Sequence, residues 1–248
     1  MASKDVTGIL QMIIQRLTAI VLGFWINLAP AQAWDHWTVI SDSHGVGAFG
    51  GRISQWLRSR TDTSFYFLAS GGSHPAHWLK ETFTSPCAFD DSDSMDPKRK
   101  RVCLKILTPT LDGLLQARPK FDRSITLIIQ GTNFSLDPKQ RKTHVQQTED
   151  LAKIAAASSD LCFWVGPPNM TKSPGYDAAA VVEKFGILQD GLKNIPGCQL
   201  IDSRLISTYP ASGGDGVHYH WPAAKDPVTI QAAEDWADRL IQELGPRL

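Results

Sequence analysis

The sequence has no charge of one sign to spare. Its 25 Lys and Arg balance 25 Asp and Glu over 248 residues, with formal net charge +0 and a pI near 7.0. Proteins that grip a phosphate backbone need clustered Lys and Arg in basic excess, so no nucleic-acid partner is expected. Beyond residue 33 there is no apolar run long enough to span a bilayer, and there is neither an internal repeat nor a long low-complexity linker. Repeat arrays and tethered multidomain arrangements are thereby set aside. What remains is ordinary in composition, 42% hydrophobic and 20% charged, and fits one globular domain with one core.

The first 33 residues differ from the rest. Lys4 and Arg16 precede the apolar run Leu17 to Leu28, and Ala31-Gln32-Ala33 follows it. The run is short for a hydrocarbon core of about 30 Å, and an A-x-A triplet suits a signal peptidase. Residues 1–33 are therefore expected to be a signal peptide cleaved before Trp34, with an uncleaved anchor as the alternative. The remaining domain, 34–248, is expected in the periplasm or secreted, with no stable membrane span after cleavage. Cysteines are scarce but even in number: Cys87, Cys103, Cys162 and Cys198. In an exported chain they permit two disulfides. Cys87 and Cys103 flank one polar stretch, while Cys162 and Cys198 each open a predicted strand, so the expected pairs are Cys87–Cys103 and Cys162–Cys198.

Short apolar strands are predicted at Trp37 to Ile40, Ser64 to Leu68, Ile125 to Ile129, Leu161 to Val165 and Gln199 to Ile201. Helical spacing occurs at Val46 to Ser59, Pro109 to Ala117, Thr143 to Ser158, Asp177 to Asn194 and Pro227 to Leu244. Strands apolar on both faces, alternating with helices, predict an α/β fold: a three-layer α/β/α sandwich on a five-stranded, mainly parallel sheet, with ligands at the carboxyl ends of the strands. The stretch 84–103 resists this scheme. It carries the acidic run Asp90 to Asp96 and then Lys98 to Arg101, and reads as a surface insertion. A calcium loop is disfavoured because the turn glycine and closing Glu are missing.

Four segments carry chemistry. Ser41-Asp42-Ser43-His44-Gly45 follows the first strand, where a serine hydroxyl would stand at the sheet edge, although a plain N-cap has the same look. Gly213-Gly-Asp215-Gly-Val-His218 precedes the last helix. In a tight turn Asp215 can reach Nδ1 of His218 and leave Nε2 to take a proton from a serine. His220 would allow an H-x-H metal site instead, but no further His or Cys pair with ligand spacing lies nearby, and no metal is expected. Two more loops follow predicted strands: Ala69-Ser-Gly-Gly72-Ser-His and Gln130-Gly131-Thr-Asn133-Phe. Either could supply N–H donors for a tetrahedral oxyanion, or be a simple turn.

In this order, S-D-S-H, S-G-G-S, G-T-N and D-G-V-H resemble the four blocks of the SGNH (GDSL-type) hydrolase superfamily, and they span the chain from Trp37 to Leu244. The resemblance implies a flavodoxin-like SGNH fold with Ser43 as nucleophile, His218 as base and Asp215 as its orienting carboxylate. The implied oxyanion hole is the N–H of Ser43 and Gly72 with the amide of Asn133, and Gly71 stands as an alternative to Gly72. Ser41 replaces the usual first glycine. His44 looks like the G-D-S-H variety of bacterial members, to which Ser73-His-Pro-Ala-His-Trp-Leu79 and Gly166-Pro-Pro168 are also similar.

The expected function is an exported serine esterase that removes small acyl groups, O-acetyl first, from a cell-wall or other polysaccharide through an acyl-enzyme. Its partner is an acylated saccharide or other small ester, no cofactor is needed, and a monomer is expected. A lipase, lysophospholipase or thioesterase, or an idle carbohydrate-binding envelope protein, are the alternatives. His44, His74, His77 and His220 with Trp78 and Trp221 could line a sugar-binding cleft, though buried tryptophan in a core is the commoner role.

Overall fold

The computed structural model describes residues 34–91, 107–220 and 225–248. The expected signal peptide, Cys103, Trp221 and most of the acidic and basic runs lie outside them.

In chain order the elements are β1 (Asp35–Ser41), a 3-10 turn (Ser43–Val46), α1 (Ala48–Ser59), β2 (Thr63–Ser70), α2 (Pro75–Leu79), β3 (Ala88–Asp90), α3 (Leu111–Ala117) and β4 (Arg123–Ile129). They continue with α4 (Pro138–Ser158), β5 (Leu161–Val165), α5 (Ala178–Leu192), β6 (Cys198–Ile201), α6 (Ser203–Ile206), α7 (Pro227–Leu244) and a final 3-10 turn, Gly245–Arg247. The sheet has six strands in the order β3-β2-β1-β4-β5-β6, parallel except for β3. The expected five-stranded sheet is corrected by that sixth strand. Its residues fall inside the stretch read as a surface insertion, yet Ser85, Cys87, Ala88 and Phe89 are buried and Ala69 pairs with Phe89. A three-residue strand beside an acidic run has too little periodicity to stand out.

Strand side chains alternate between two cores, as the period of two requires. Trp37, Val39, Phe65, Phe67, Ile125, Leu127, Phe163 and Val165 face α1 and α7, through Phe49, Ile53, Trp236 and Leu240. Ile40, Leu68, Ile128, Cys162 and Trp164 face the other way, onto Leu111 and Leu115 of α3, Leu151 and Ala155 of α4, and Ile187 and Leu188 of α5. Three layers follow, because each sheet face is apolar and each helix has one apolar stripe to bury against it.

Caps explain the helix boundaries. Asp137, Asp177 and Asp226 each accept an N–H from the first turn of α4, α5 and α7, and Pro138 and Pro227 supply a preset φ at the start. This is why α4 begins at Pro138, ahead of the Thr143 expected from spacing. The helix after β1 is also shorter than expected: a separate 3-10 turn takes up Ser43–Val46 before α1 begins at Ala48. Among the described residues no helix is long and apolar enough to cross a membrane.

Cys162 and Cys198 form a disulfide between paired positions of β5 and β6. Cys87 is disulfide-bonded too. The Cys162–Cys198 link closes a loop with a sequence separation of 36, which by chain entropy stabilises the fold by about 3–4 kcal/mol. Replacing both residues with Ala is expected to lower the unfolding free energy by about that much in a urea titration. A change below about 1 kcal/mol would show that the unfolded chain does not feel the cross-link.

Candidate active site

Three neighbouring strands end at one level, with Ser41 of β1 paired to Ala69 of β2 and to Ile129 of β4. The S-D-S-H, S-G-G-S and G-T-N segments therefore leave the sheet side by side. The central strand β1 is flanked by strands reached in opposite directions, the switch point where open α/β sheets bind ligands.

Ser43 opens the 3-10 turn and is nearly buried, at 4% exposure. Asp42 caps the turn by accepting the His44 N–H at 3.0 Å. The fourth segment is brought against it. The His218 ring lies 5.8 Å, centroid to centroid, from that of His44, and His220 Nδ1 accepts the Ala48 N–H at 3.0 Å. A side chain at Gly47 would collide with the His220 carbonyl, so only glycine allows this approach.

Within the loop, Asp215 Oδ2 pairs with His218 Nδ1 at 2.7 Å, while Oδ1 accepts the Val217 and His218 N–H groups at 2.9 and 2.8 Å. Partial burial alone would raise the Asp215 pKa, but the His218 ring and these N–H donors bring it down to about 2. The carboxylate thus stays ionised, and its contribution to stability, present above the ordinary Asp value, is lost only as pH falls toward 2. Tyr209 braces the loop from behind, accepting the Gly216 N–H at 2.7 Å and donating to the His218 carbonyl at 3.1 Å.

On the other side, Asn133 Nδ2 donates to the Ser73 carbonyl at 2.8 Å, tying the third segment to the second. Buried Gln130 touches Ser73 Oγ at 3.1 Å whichever way its amide is turned, and Trp78 Nε1 donates to the same hydroxyl at 3.2 Å. The Gly71 N–H is taken by the Cys87 carbonyl at 2.9 Å, while Gly72 is exposed, at φ +78°.

The aromatic and histidine residues read as a cleft divide. Trp78 and His44 are buried, and His44 sits edge-on to Trp236 at 5.3 Å. Burial, with the charge of His218, pushes the His44 pKa down to about 3, so it stays neutral and packs. His74 and His77 are half-buried, and His77 stacks on Phe83 at 3.9 Å. No group of three or more His, Cys, Asp or Glu among the described residues could hold a metal ion.

Sequence reasoning missed the residues that hold these loops together, above all Thr132, Lys184 and Tyr209. Lys184 did leave a signal. It falls on the buried stripe of α5 with Val181, Phe185 and Leu188, where a lysine is out of place unless it has a partner.

No protein-family model and no curated protein matches the chain, but solved structures do. The catalytic domain of peptidoglycan O-acetyltransferase A from Streptococcus pneumoniae, bearing a methylsulfonyl adduct, is 14% identical with TM-score 0.51, over 87% of this chain and 95% of that one. A psychrotrophic esterase, EstA, from Pseudoalteromonas, inhibited by monoethylphosphonate, is 12% identical with TM-score 0.55, over 86% and 97%. A G-D-S-L family lipolytic protein from Veillonella parvula is 13% identical with TM-score 0.50, over 86% and all of that chain. The chain has the fold of the SGNH (GDSL-type) hydrolases.

Proposed function

We propose that this protein is an exported serine esterase that removes small acyl groups, O-acetyl foremost, from a polysaccharide. The observation that carries the reading is the Asp215–His218 pair, at 2.7 Å, lodged against the turn that begins with Ser43. Asp215 holds the imidazole so that Nε2 is the basic nitrogen. His218 takes the Ser43 proton as Oγ attacks the acyl carbon, then returns it to the departing alcohol. Water deprotonated by the same His218 releases the acid and restores the serine. The Ser43 and Gly72 N–H groups and the Asn133 amide meet the oxyanion, from three adjacent strand ends.

Support for a saccharide alcohol comes from the half-buried cluster of His74, His77 and Phe83 beside Gly72, an aromatic surface of the kind that a sugar packs against, and from the O-acetyltransferase among the structures of similar fold. The even cysteine count, with Cys162 and Cys198 bonded, supports an oxidising compartment.

The test compares p-nitrophenyl acetate with the octanoate, alongside labelling by a fluorophosphonate probe. Turnover of acetate at least about tenfold faster than octanoate, with one label mapping to Ser43, is expected. A preference for octanoate would move the reading to a lipase or thioesterase, and saccharide binding without turnover or label would leave a binding protein.

A further inference from the structure

Lysine is rarely buried without a task, because desolvating an ammonium is costly unless it is paired and hydrogen-bonded. Lys184 is 1% exposed. Its Nζ donates to the Thr132 carbonyl at 2.6 Å and sits 3.9 Å from the centre of the Tyr176 ring. Thr132 in turn gives both its hydroxyl and its N–H to the buried Asp42 carboxylate, which also holds the His44 N–H at 3.0 Å. One chain of contacts therefore runs from α5 through Thr132 to Asp42, the residues immediately before Asn133 and Ser43. The same helix supports the histidine loop, since Val181 packs with Met170, Val217 and Tyr176.

We propose that Lys184 is a positioning residue for acyl transfer, whose buried ammonium anchors Thr132 and, through it and Asp42, keeps the Asn133 amide and the Ser43 turn in one rigid frame. The inference rests on the function proposed above.

Its electrostatics fit that role. Burial drives the Lys184 pKa down to about 8 even though the Asp42 and Asp177 carboxylates support its charge. Burial likewise lifts the Asp42 pKa to about 6, against the pull of the N–H of His44, both donors of Thr132 and the charge of His218. The groups facing this pair are Asp177 at the start of α5, the Tyr176 ring, and His44 and His218 from the two catalytic loops. An acid with a raised pKa stabilises the fold below its ordinary value and loses that contribution as pH rises through about 6. A base with a lowered pKa stabilises above its ordinary value and loses that as pH falls through about 8. Between these limits both groups are charged at the expense of stability, as expected of charges kept for geometry.

The experiment measures kcat, KM and the pH profile of p-nitrophenyl acetate hydrolysis for wild type, Lys184→Met and Lys184→Gln, with Ser43→Ala alongside. Lys184→Met is expected to lower kcat about tenfold to hundredfold with KM within about twofold. The acid limb of its kcat profile moves to higher pH because Asp42 loses the cation it faces. Lys184→Gln keeps a donor for Thr132 and should regain part of kcat while retaining the shifted limb. If Lys184→Met fails to fold, Lys184→Gln decides alone. A wild-type profile and kcat in Lys184→Gln, or in a folded Lys184→Met, would overturn the proposal. Ser43→Ala separates the two ideas: if it stays active, the esterase reading fails instead.

Discussion

Ser43→Ala is expected to lower kcat/KM for p-nitrophenyl acetate by about 10⁴-fold or more, and His218→Ala by a similar factor. The size follows from the chemistry. Without Oγ there is no acyl-enzyme, and water must attack a carbonyl that only the oxyanion donors polarise. Without the imidazole the hydroxyl keeps its proton at neutral pH. Because the two act as one unit, the double variant should be hardly worse than either single one. Additive losses would mean that the two residues work in different steps. Neither substitution threatens the fold, since Ser43 occupies one corner of a 3-10 turn capped by Asp42 and His218 is partly exposed. Thermal melting midpoints within a few degrees of wild type are the check that the loss is catalytic.

The large elements were legible because burial on both sheet faces writes long apolar strands. All five predicted strands are present, and α7 spans Pro227–Leu244 as its spacing predicts. What escaped was short or depended on distant partners. β3 has three residues and α2 five, too few for either period to register. The candidate site was readable as four separate motifs, three of them just after a strand and the fourth in the loop ahead of α7. Its framework was not, because Asp42, Thr132 and Lys184 lie far apart in the sequence, in two loops and a helix, and meet only in the folded chain. Likewise the partner of the Gly71 N–H, the Cys87 carbonyl beside β3, comes from a strand hidden in the sequence. The Cys162–Cys198 pairing was accessible for a simpler reason. Cys162 and Cys198 lie near the starts of neighbouring strands, and the parallel register places them side by side.

Asn133→Ala is expected to lower kcat by about 10² to 10³-fold, equivalent to about 3–4 kcal/mol of transition-state stabilisation, with KM changed far less. The amide is needed only when the carbonyl oxygen becomes an anion, so its loss falls on kcat rather than on substrate binding. In the resting protein Nδ2 donates to the Ser73 carbonyl at 2.8 Å. That contact restrains the side chain beside the Gly72 loop, and the second amide hydrogen remains for the substrate. Removing the amide also leaves the Ser73 carbonyl short of a donor, so a modest loss of stability of about 1 kcal/mol should accompany the kinetic effect. Asn133→Asp sharpens the result. It preserves size but replaces the donor with a carboxylate facing a developing anion, and should be slower than Asn133→Ala. Kinetics of the two variants on p-nitrophenyl acetate decide the matter. If Asn133→Asp keeps more activity than Asn133→Ala, the residue supports the loop through its shape, and the oxyanion must be held by the backbone N–H groups alone.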